Sequence, residues 1–344
     1  MPANICYRAN CLKREPLRQT AVTMPERFHS EKSMERKLLQ RLVDECRPLV
    51  ALGKNADYIP LLKDVPSDHL GICVVERDGS CASAGDAEIP FTIQSISKVL
   101  TFTCALLDSG IERVFEYVSV DPSDDAFNSV INLEVKNNHK PMNPMINAGS
   151  IVCMSLVRGD TYHKRHERIL DFARLLSGNP TLTVDEDVYR SEKATGARNR
   201  ALAYFMQSTG VIQGDVEDLL DAYFRACSIR ADCADVARMA LVYAANGIGG
   251  NGETIFSRRI AGIVKATMAV CGMYEESGHV AVSIGLPTKS GVGGGILSLV
   301  PGRMGIGIYG PALNSKGSSI AGLGMLEKLS RECHLSIFEA PAEE

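Results

Sequence analysis

The sequence predicts an α+β fold in which one antiparallel sheet is built from both ends of the chain and a helical region is inserted between its strands. Strand-like alternation of apolar residues occurs near residues 70–84 and again after residue 278. Residues 110–240 instead show the apolar spacing of amphipathic helices. Strands and helices do not alternate regularly along the chain, which argues against a Rossmann or barrel fold.

The N-terminal segment divides into an irregular part and a helical part. Residues 1–33 mix charges with prolines and show no periodicity, so we expect a disordered arm or an over-called start codon. From Met34 to about Leu49, leucine, valine and cysteine recur at helical spacing, which predicts a first helix.

The next elements are a predicted hairpin and a predicted apolar helix. Gly71–Val75 is expected to form a strand, Asp78-Gly79 a tight turn, and Cys81–Ala84 a second strand. The segment Phe91–Ser95 then leads into an apolar helix that extends through Leu107.

Within the helical region, Asp215–Ala226 and Cys233–Ala245 are predicted helices. After residue 278 the pattern predicts three strands, a turn at Pro301-Gly302 and a closing helix. The strands are expected at Val280–Ile284, Gly295–Val300 and Met304–Tyr309, and the helix at about Ser319–Arg331. Residues 34–335 are therefore expected to form one domain, with 336–344 as a short C-terminal tail.

The composition is that of a globular protein and excludes several classes. The chain has 344 residues, of which 45% are hydrophobic and 23% are charged, and this is ordinary globular usage. A net charge of −4 provides no large basic surface, so we expect no nucleic acid partner. The sequence contains no long run of uncharged apolar residues, so we expect no membrane partner and no transmembrane helix.

The cysteines indicate a reducing compartment. There are eleven, an odd number, and none are arranged as Cys-x-x-Cys. Most have apolar neighbours, so they are expected to be buried free thiols. The first 30 residues contain charges and no apolar segment of a secretory signal. We therefore expect a cytoplasmic protein.

The first chemical signal is the sequence Ser95-Ile96-Ser97-Lys98 at the predicted start of a helix. Ser95 and Lys98 are three residues apart and share one helix face. A serine hydroxyl needs a nearby base to act as a nucleophile, and a lysine desolvated by packing can lose its proton and act as that base. Taken alone, this short pattern is also compatible with an exposed serine and a solvated lysine.

The second signal is the glycine-rich segment Lys289-Ser290-Gly291-Val292-Gly293-Gly294-Gly295. A Lys-[Ser/Thr]-Gly strand beside a Ser-x-x-Lys helix is the paired signature of serine β-lactamases and penicillin-binding proteins. The backbone N–H groups of such a strand can bind an oxyanion, and its small residues allow close approach of a substrate. Taken alone, the segment could be an ordinary turn between strands.

With the rest of the chain, these two motifs make the sequence resemble the serine-dependent glutaminases over about residues 40–330. The blocks that carry the resemblance are Ala56-Asp57-Tyr58-Ile59-Pro60, Gln94–Lys98, Asn143–Gly149, Ser191–Asn199, Asp221–Phe224, Cys271–Tyr274 and Leu286–Val292. The resemblance implies a β-lactamase-like fold and hydrolysis of L-glutamine to L-glutamate and ammonia. The sequence departs from the family's Gly-Lys-x-Pro-Ser-Gly pattern at Ser119–Asp124, although Phe127-Asn128-Ser129 is kept.

The resemblance also implies roles for individual residues. Ser95 is the expected nucleophile, Lys98 its base and Tyr274 a nearby proton-transfer partner. The backbone N–H groups of Ser95 and Val292 are expected to bind the oxyanion. The expected substrate-binding set is Tyr58, Ser95, Asn147, Glu192, Asn199, Tyr223, Tyr274 and Val292. No metal and no organic cofactor is expected, the partner is the small-molecule substrate L-glutamine, and family members are commonly homo-oligomers, as dimers or tetramers.

Residue chemistry agrees with this assignment, and two alternatives stay open. Glu192 can accept from the substrate ammonium, while Asn147, Asn199 and tyrosine hydroxyls supply neutral donors. Taken alone, Glu192 would be expected on a solvated helix face, as most glutamates are, and only the whole set of residues favours a binding role. One alternative function is a β-lactamase or penicillin-binding protein, although such proteins are usually exported. The other is a catalytically silent glutamine sensor, which the intact Ser95, Lys98 and Tyr274 set argues against.

Two further patterns are interpreted as structural. Gly305–Gly310 fits Gly-x-Gly-x-x-Gly, but it lies in a predicted strand that runs into Pro311, so we reject nucleotide binding. His163 and His166 have no cysteine or carboxylate partner at ligand spacing, so we expect no metal there.

Overall fold

The computed structural model describes residues 36–122 and 139–339. Its strands are β1 Gly71–Glu76, β2 Cys81–Gly85, β3 Phe91–Thr92, β4 Arg230–Ala231, β5 Thr288–Ser290, β6 Gly295–Val300 and β7 Met304–Tyr309. Its α-helices are α1 Arg36–Cys46, α2 Pro60–Lys63, α3 Ser97–Ser109, α4 Ile111–Tyr117, α5 Asn147–Leu156, α6 Tyr162–Ser177, α7 Glu186–Thr195, α8 Ala197–Ser208, α9 Val216–Cys227, α10 Cys233–Ala244, α11 Arg258–Cys271, α12 Ser277–Ser283 and α13 Ile320–Glu332. Short 3₁₀ helices occur at Arg47–Leu52, Gln94–Ile96 and Tyr274–Glu276.

The central sheet has five antiparallel strands in the order β2-β1-β7-β6-β5. The first hairpin supplies β1 and β2, and the last third of the chain supplies β5 to β7. In the middle of the sheet, Ile308 of β7 is paired with Ile72 of β1 on one side and with Ile296 of β6 on the other. The prediction of one sheet built from both ends of the chain, with helices inserted between, is confirmed.

The sheet separates two hydrophobic clusters because side chains alternate between its faces. On one face, α1, α12 and α13 cover a cluster that contains Ile72, Ile306 and Ile308. On the other face, α10 and the helical region form the larger cluster, which contains Leu297 and Leu299. We call the first the back face and the second the front face.

Glycines in β7 allow α10 to pack directly on the front face of the sheet. A Cβ atom at Gly305 would lie 2.1 Å from the carbonyl oxygen of Ala237, and one at Gly307 would lie 2.1 Å from that of Cys233. Any side chain at either position would therefore push the helix away from the strand. The Gly-x-Gly pattern lies within strand β7, as the sequence predicted, and its glycines allow close packing of α10.

One predicted strand is wrong. Residues 280–284 are not a strand, because Ser277–Ser283 forms helix α12. The alternation of valines there indicated a strand, but the helix buries Val280 on the back face and leaves Val282 89% exposed. The helix ends at Ser283 and is followed by Gly285, whose φ is 72° and whose N–H donates to the carbonyl of Val280. A glycine in this left-handed conformation is a common helix-ending signal.

The remaining predicted elements are confirmed within a few residues. The first hairpin, the apolar helix after Ser95, the helices near 215–227 and 233–244, the last two strands and the closing helix are all present. The turn at Pro301-Gly302 closes with a hydrogen bond from Arg303 N–H to the Val300 carbonyl. The sequence pattern did not predict the short two-stranded sheet in which β3 pairs with β4. Strand β3 lies directly before the turn that carries Ser95.

Several sequence interpretations concern residues that the structure does not describe. The arm at 1–33 and Phe127-Asn128-Ser129 lie outside the described residues, as does the tail beyond residue 339. Among the described residues, every cysteine is free, and most are buried. Within the same residues, no helix combines the length and apolar character needed to cross a membrane.

Candidate active site

The two sequence motifs meet at the front face of the sheet. Ser95 lies in the 3₁₀ turn Gln94–Ile96, which continues directly into helix α3. The glycine-rich segment passes close to this turn: a Cβ atom at Gly291 would lie 2.5 Å from the Ile93 carbonyl oxygen and 3.3 Å from the Ser95 nitrogen. Glycine is therefore required for this approach, and it brings the backbone after β5 beside the serine.

Ser95 and Lys98 form a buried hydrogen-bonded pair. Lys98 Nζ lies 2.7 Å from Ser95 Oγ and 3.3 Å from the Tyr223 hydroxyl. Lys98 is 1% exposed and Ser95 is 8% exposed. Burial lowers the pKa of Lys98, although the charges of Cys227 and Glu192 raise it in part. A lysine with a lowered pKa can be neutral and can accept the proton of the serine hydroxyl.

Tyr274 approaches the same serine from the 3₁₀ turn that precedes α12. Its backbone has a φ of 55°, an uncommon left-handed conformation for a residue with a side chain. Burial raises the pKa of the Tyr274 phenol, and a side-chain hydrogen bond with Ser95 partly offsets this rise. The tyrosine is thus kept neutral and next to Ser95, where a phenol can pass a proton.

Hydrogen bonds on either side hold this unusual turn. Ser277 Oγ donates to the Tyr274 carbonyl at 2.8 Å and accepts from the Met273 N–H at 3.1 Å. The Glu276 carboxylate accepts from Asn314 Nδ2 at 2.8 Å and from Ser318 Oγ at 2.6 Å. These contacts over-determine the backbone at Tyr274, as is usual where a strained conformation is retained.

A fully buried second lysine lies against Tyr274. Lys289 Nζ is 4.0 Å from the centre of the Tyr274 ring and donates to the Ser290 carbonyl at 2.7 Å. Burial lowers the pKa of Lys289 well below its usual value, and the charge of Lys98 lowers it further. Lys289 belongs to the glycine-rich motif, but the sequence alone predicted no role for it.

A small cavity opens beside Ser95 and collects most of the predicted binding residues. Its lining includes Ser95, Tyr58, Asn147, Glu192, Asn199, Tyr223 and Val292, together with Ile59, Gln94, Thr195, Gly196, Arg198 and Cys227. Tyr274 instead lines an adjoining cleft, which shares Tyr58 and Val292 with the cavity. The structure therefore brings together every residue of the predicted set.

Helix termini position several of these side chains. Asn147 begins α5, and its Nδ2 donates to Asn199 Oδ1 of α8 at 2.8 Å. The Asp185 side chain caps the helix that carries Glu192 by accepting from two backbone N–H groups. Tyr223 lies on α9, which begins at another aspartate cap, Asp215. The cavity is therefore formed by well-defined helices of the helical region.

Glu192 is a buried carboxylate rather than a solvated helix residue. It is only 8% exposed, and its Oε2 has no hydrogen-bond partner among the described residues. Burial raises the pKa of Glu192 to about 7, although Lys98, Gln94 and Cys227 each act to lower it. A buried carboxylate with an unused acceptor is suited to bind a cation that arrives with a substrate.

Gln94 and Cys227 also line the cavity, although the sequence predicted neither as a site residue. Gln94 precedes Ser95 and has a φ of 46°, which turns the chain into the start of α3. Cys227 follows Tyr223 by four residues on α9, so helical spacing places it on the same face. That spacing was the available signal for Cys227, whereas the conformation of Gln94 has no signal in the sequence.

The two histidines singled out in the sequence, His163 and His166, lie in different surroundings. His163 pairs with Glu167 at 3.1 Å on an exposed helix face. His166 is buried, and this burial is the main cause that lowers its pKa to about 4. Across 36–122 and 139–339, no group of three or more histidine, cysteine, aspartate or glutamate side chains is arranged to hold a metal ion.

Comparisons with known proteins identify the family of this chain. The sequence profile of the glutaminase family matches residues 53–338. A glutaminase of Clostridium tetani is 52% identical over 301 residues, which cover 87% of this chain and 98% of that protein. The crystal structure of a Bacillus glutaminase has a TM-score of 0.83 at 39% identity and covers 88% of this chain and 99% of its own.

A second solved structure shows a related protein with a bound compound. It is the covalent complex between a Bacillus subtilis glutaminase and 5-oxo-L-norleucine, formed by reaction with 6-diazo-5-oxo-L-norleucine. Its TM-score is 0.81 at 38% identity, and the match covers 88% of this chain and 99% of that one.

The fold and these comparisons define an amidohydrolase with a β-lactamase-like fold. The family profile spans most of the chain, and a relative above 50% identity is covered almost from end to end. The chain therefore belongs to the glutaminase family.

Proposed function

We propose that the protein hydrolyses the side-chain amide of L-glutamine to L-glutamate and ammonia through an acyl-enzyme intermediate on Ser95. The observation that carries this proposal is the 2.7 Å contact between Lys98 Nζ and Ser95 Oγ, both buried beside the cavity that contains Glu192. A nucleophile with a base in hydrogen-bond reach is the arrangement that acyl transfer requires.

In the first step, Ser95 Oγ attacks the amide carbon while neutral Lys98 takes the hydroxyl proton. Negative charge then develops on the amide oxygen, and the backbone N–H groups of Ser95 and Val292 stabilise it. Tyr274 next passes a proton to the leaving nitrogen and receives the serine proton from Lys98, so the C–N bond breaks, ammonia departs and Lys98 is neutral again. Water then attacks the γ-glutamyl ester while Lys98 takes its proton, and Lys98 returns that proton to Ser95 Oγ as the ester C–O bond breaks and glutamate leaves.

Substrate selection rests on charge complementarity within the cavity. Glu192 accepts from the α-ammonium of glutamine through the carboxylate oxygen that has no partner among the described residues. Asn147, Asn199 and the hydroxyls of Tyr58 and Tyr223 offer neutral donors for the α-carboxylate. Asparagine is shorter by one methylene, so it cannot occupy the ammonium site and the oxyanion site together.

The covalent complex of the Bacillus subtilis relative supports this proposal. The compound in it, 5-oxo-L-norleucine, resembles glutamine with a carbon in place of the amide nitrogen, and it is covalently attached to that protein. Covalent attachment of such a compound requires a nucleophile in the site of that protein. In this chain, Ser95 is the candidate nucleophile, because its hydroxyl contacts the buried Lys98 and lines the cavity.

The deciding experiment compares ammonia release from glutamine and asparagine with turnover of a chromogenic β-lactam. We expect rapid ammonia release from glutamine, little from asparagine and no β-lactam hydrolysis. Preferred β-lactam turnover would contradict the proposed activity and support the penicillin-binding alternative. Glutamine binding without any turnover would support the silent sensor.

We further propose a catalytic domain at 34–335, a homo-oligomeric assembly as a dimer or tetramer, a cytoplasmic location and no cofactor. Residues 1–33 contain no apolar pattern that could pack, so their deletion should change neither kcat nor the Tm. Dialysis against EDTA should likewise leave activity intact. Light scattering measures the assembly, and cell fractionation measures the location.

A further inference from the structure

Two thiols are in contact at an edge of the central sheet, away from the candidate active site. Cys73 Sγ of β1 lies 3.4 Å from Cys81 Sγ of β2. The strand register pairs Cys73 with Ser83 and Val75 with Cys81, so the two cysteines are diagonal neighbours. Positions separated by two residues project to the same face, which is why the sulfur atoms can meet.

The two thiols differ in accessibility. Cys81 is exposed, whereas Cys73 is fully buried in the front-face cluster. Burial raises the pKa of Cys73, so this thiol is the poorer first nucleophile. Among the other described cysteines, Cys333 is partly exposed and the rest are buried. Cys81 is therefore the described thiol that combines exposure with a second sulfur in contact.

The local backbone can close the remaining gap. A disulfide bond needs the sulfur atoms to approach to about 2.05 Å, so the pair must move together by more than an ångström. β2 is an edge strand with β1 as its single neighbour in the sheet. Its connection to β1 is a short turn at Gly79, which has a φ of 90°. Because β2 has one strand neighbour and is joined to β1 by a short turn, a shift of β2 toward Cys73 leaves the pairing of β7 with β6 unchanged.

We propose that Cys73 and Cys81 are an oxidation site that forms a reversible disulfide when the protein meets a peroxide. The Cys81 thiolate attacks the peroxide, which breaks the O–O bond and leaves a sulfenic acid on Cys81. Cys73 then attacks the Cys81 sulfur, the S–S bond forms and water leaves. In total, two thiols are oxidised to one disulfide while one hydrogen peroxide is reduced to two waters.

The experiment uses the full chain with Cys6→Ser and Cys11→Ser, which removes the thiols that precede the described residues. Reduced protein is treated with hydrogen peroxide, alkylated under denaturing conditions and digested without reductant. We expect one linked pair of peptides, lighter by about 2 Da than the two free thiols together and separated by dithiothreitol. The oxidised protein should also show a higher Tm, because a cross-link restricts the unfolded chain.

Two matched variants decide the assignment. Cys81→Ser changes an exposed residue and should abolish the linked pair, while Cys333→Ser, the other accessible described thiol, should leave it intact. The proposal is overturned if Cys81 is recovered as a sulfinic or sulfonic acid with Cys73 still free. It is equally overturned if Cys81 forms only intermolecular disulfides. Neither result bears on glutamine hydrolysis, since neither cysteine lines the cavity.

Discussion

On the back face of the sheet, α1 and α13 cover an apolar layer of isoleucine, leucine and methionine side chains. On the front face, the helical region encloses the ionisable groups Lys98, Lys289 and Glu192 beside the glycine-rich segment. The charges of the back-face helices lie outside that layer, where Arg41 pairs with Glu332 and Lys328 with Glu45.

This difference separates stability from chemistry. Burying an apolar side chain contributes favourably, whereas burying a charge is unfavourable unless partners compensate for lost hydration. The lowered pKa of Lys98 and the raised pKa of Glu192 show that burial disfavours both charged forms. Burial of these reactive groups on the front face therefore lowers the free energy of unfolding. Burial of apolar side chains on the back face raises it. Substitutions of the reactive groups on the front face should lower activity without lowering stability. Substitutions of apolar residues on the back face should lower stability with little effect on activity.

The largest effect is expected at the Ser95–Lys98 pair. Ser95→Ala removes the nucleophile and Lys98→Ala removes its base, so each should reduce kcat by roughly 10⁴-fold or more, because the pair acts as a unit. Steady-state ammonia release measures this loss, and the Tm should remain close to that of the parent. Ser97→Ala, in the same motif, is the matched control. A Ser95→Ala enzyme with more than a few per cent of parental activity would exclude Ser95 as the nucleophile.

On the back face, a substitution is expected to lower stability and leave activity unchanged. Leu326 is fully buried on α13, so Leu326→Ala should lower the free energy of unfolding by about 2–5 kcal/mol, through lost burial and a residual cavity. Urea unfolding measures this change, while kcat and KM should stay near the parental values at 25 °C. Val282→Ala, at an 89% exposed position, is the control. A large fall in kcat for folded Leu326→Ala would show that the faces are coupled.

Glu192→Gln should separate function from stability at one position. The variant keeps the shape of the side chain but cannot compensate the substrate ammonium. We expect kcat/KM for glutamine to fall about a hundredfold, near 3 kcal/mol, a size usual for a buried charge pair. Glu186→Gln, at the exposed start of the same helix, should stay within twofold. Parental kcat/KM in Glu192→Gln would contradict the proposed ammonium site.

The same variant should be more stable than the parent at alkaline pH. Folding raises the pKa of Glu192 from its usual 4.5 to about 7. The associated stability is therefore present below about pH 4.5 and is lost as the pH rises through 7. At pH 8, Glu192→Gln should gain up to about 3 kcal/mol over the parent, measured by urea unfolding. If the difference in the free energy of unfolding between Glu192→Gln and the parent is the same at pH 4 and at pH 8, the raised pKa of Glu192 is contradicted.

The pH dependence of activity has the reverse sign. Glu192 must be ionised to bind the ammonium, and Lys98 must be neutral to accept the serine proton. Both conditions fail as the pH falls, so kcat/KM should decrease below about pH 7. In Glu192→Gln, the part of the pH profile of kcat/KM that is due to ionisation of the carboxylate should disappear. Only the decrease caused by protonation of Lys98 should remain.

The sequence was sufficient for features with local signals. Apolar alternation identified four strands of the central sheet, and motif spacing placed Ser95 and Lys98 on one helix face. It failed where tertiary contacts decide. The valines at 280–284 alternate as in a strand, yet Gly285 and packing on the back face make a helix. The turn that gives Tyr274 its positive φ angle is held by distant residues such as Ser318, which bonds to Glu276, so no local sequence pattern predicts it.

The smallest effect is expected at Lys289, which touches the site only through Tyr274 and the Ser290 carbonyl. Lys289→Met keeps the length of the side chain but removes the N–H groups that lie over the tyrosine ring and fix the strand. We expect kcat to fall about tenfold, or 1.4 kcal/mol, with KM within twofold, because Tyr274 is proposed to transfer protons rather than bind glutamine. Single-turnover acylation should show the same loss.

The matched control is Lys328→Met on the back face, where the lysine pairs with Glu45 outside the apolar layer. Both variants remove one ammonium group, but only Lys289 lies against a residue of the proposed mechanism. If Lys328→Met lowers kcat as much as Lys289→Met, the effect is one of net charge. If Lys289→Met changes only the Tm, Lys289 is a packing residue and Tyr274 is positioned by its turn alone. A selective fall in kcat would establish Lys289 as a positioning residue for Tyr274.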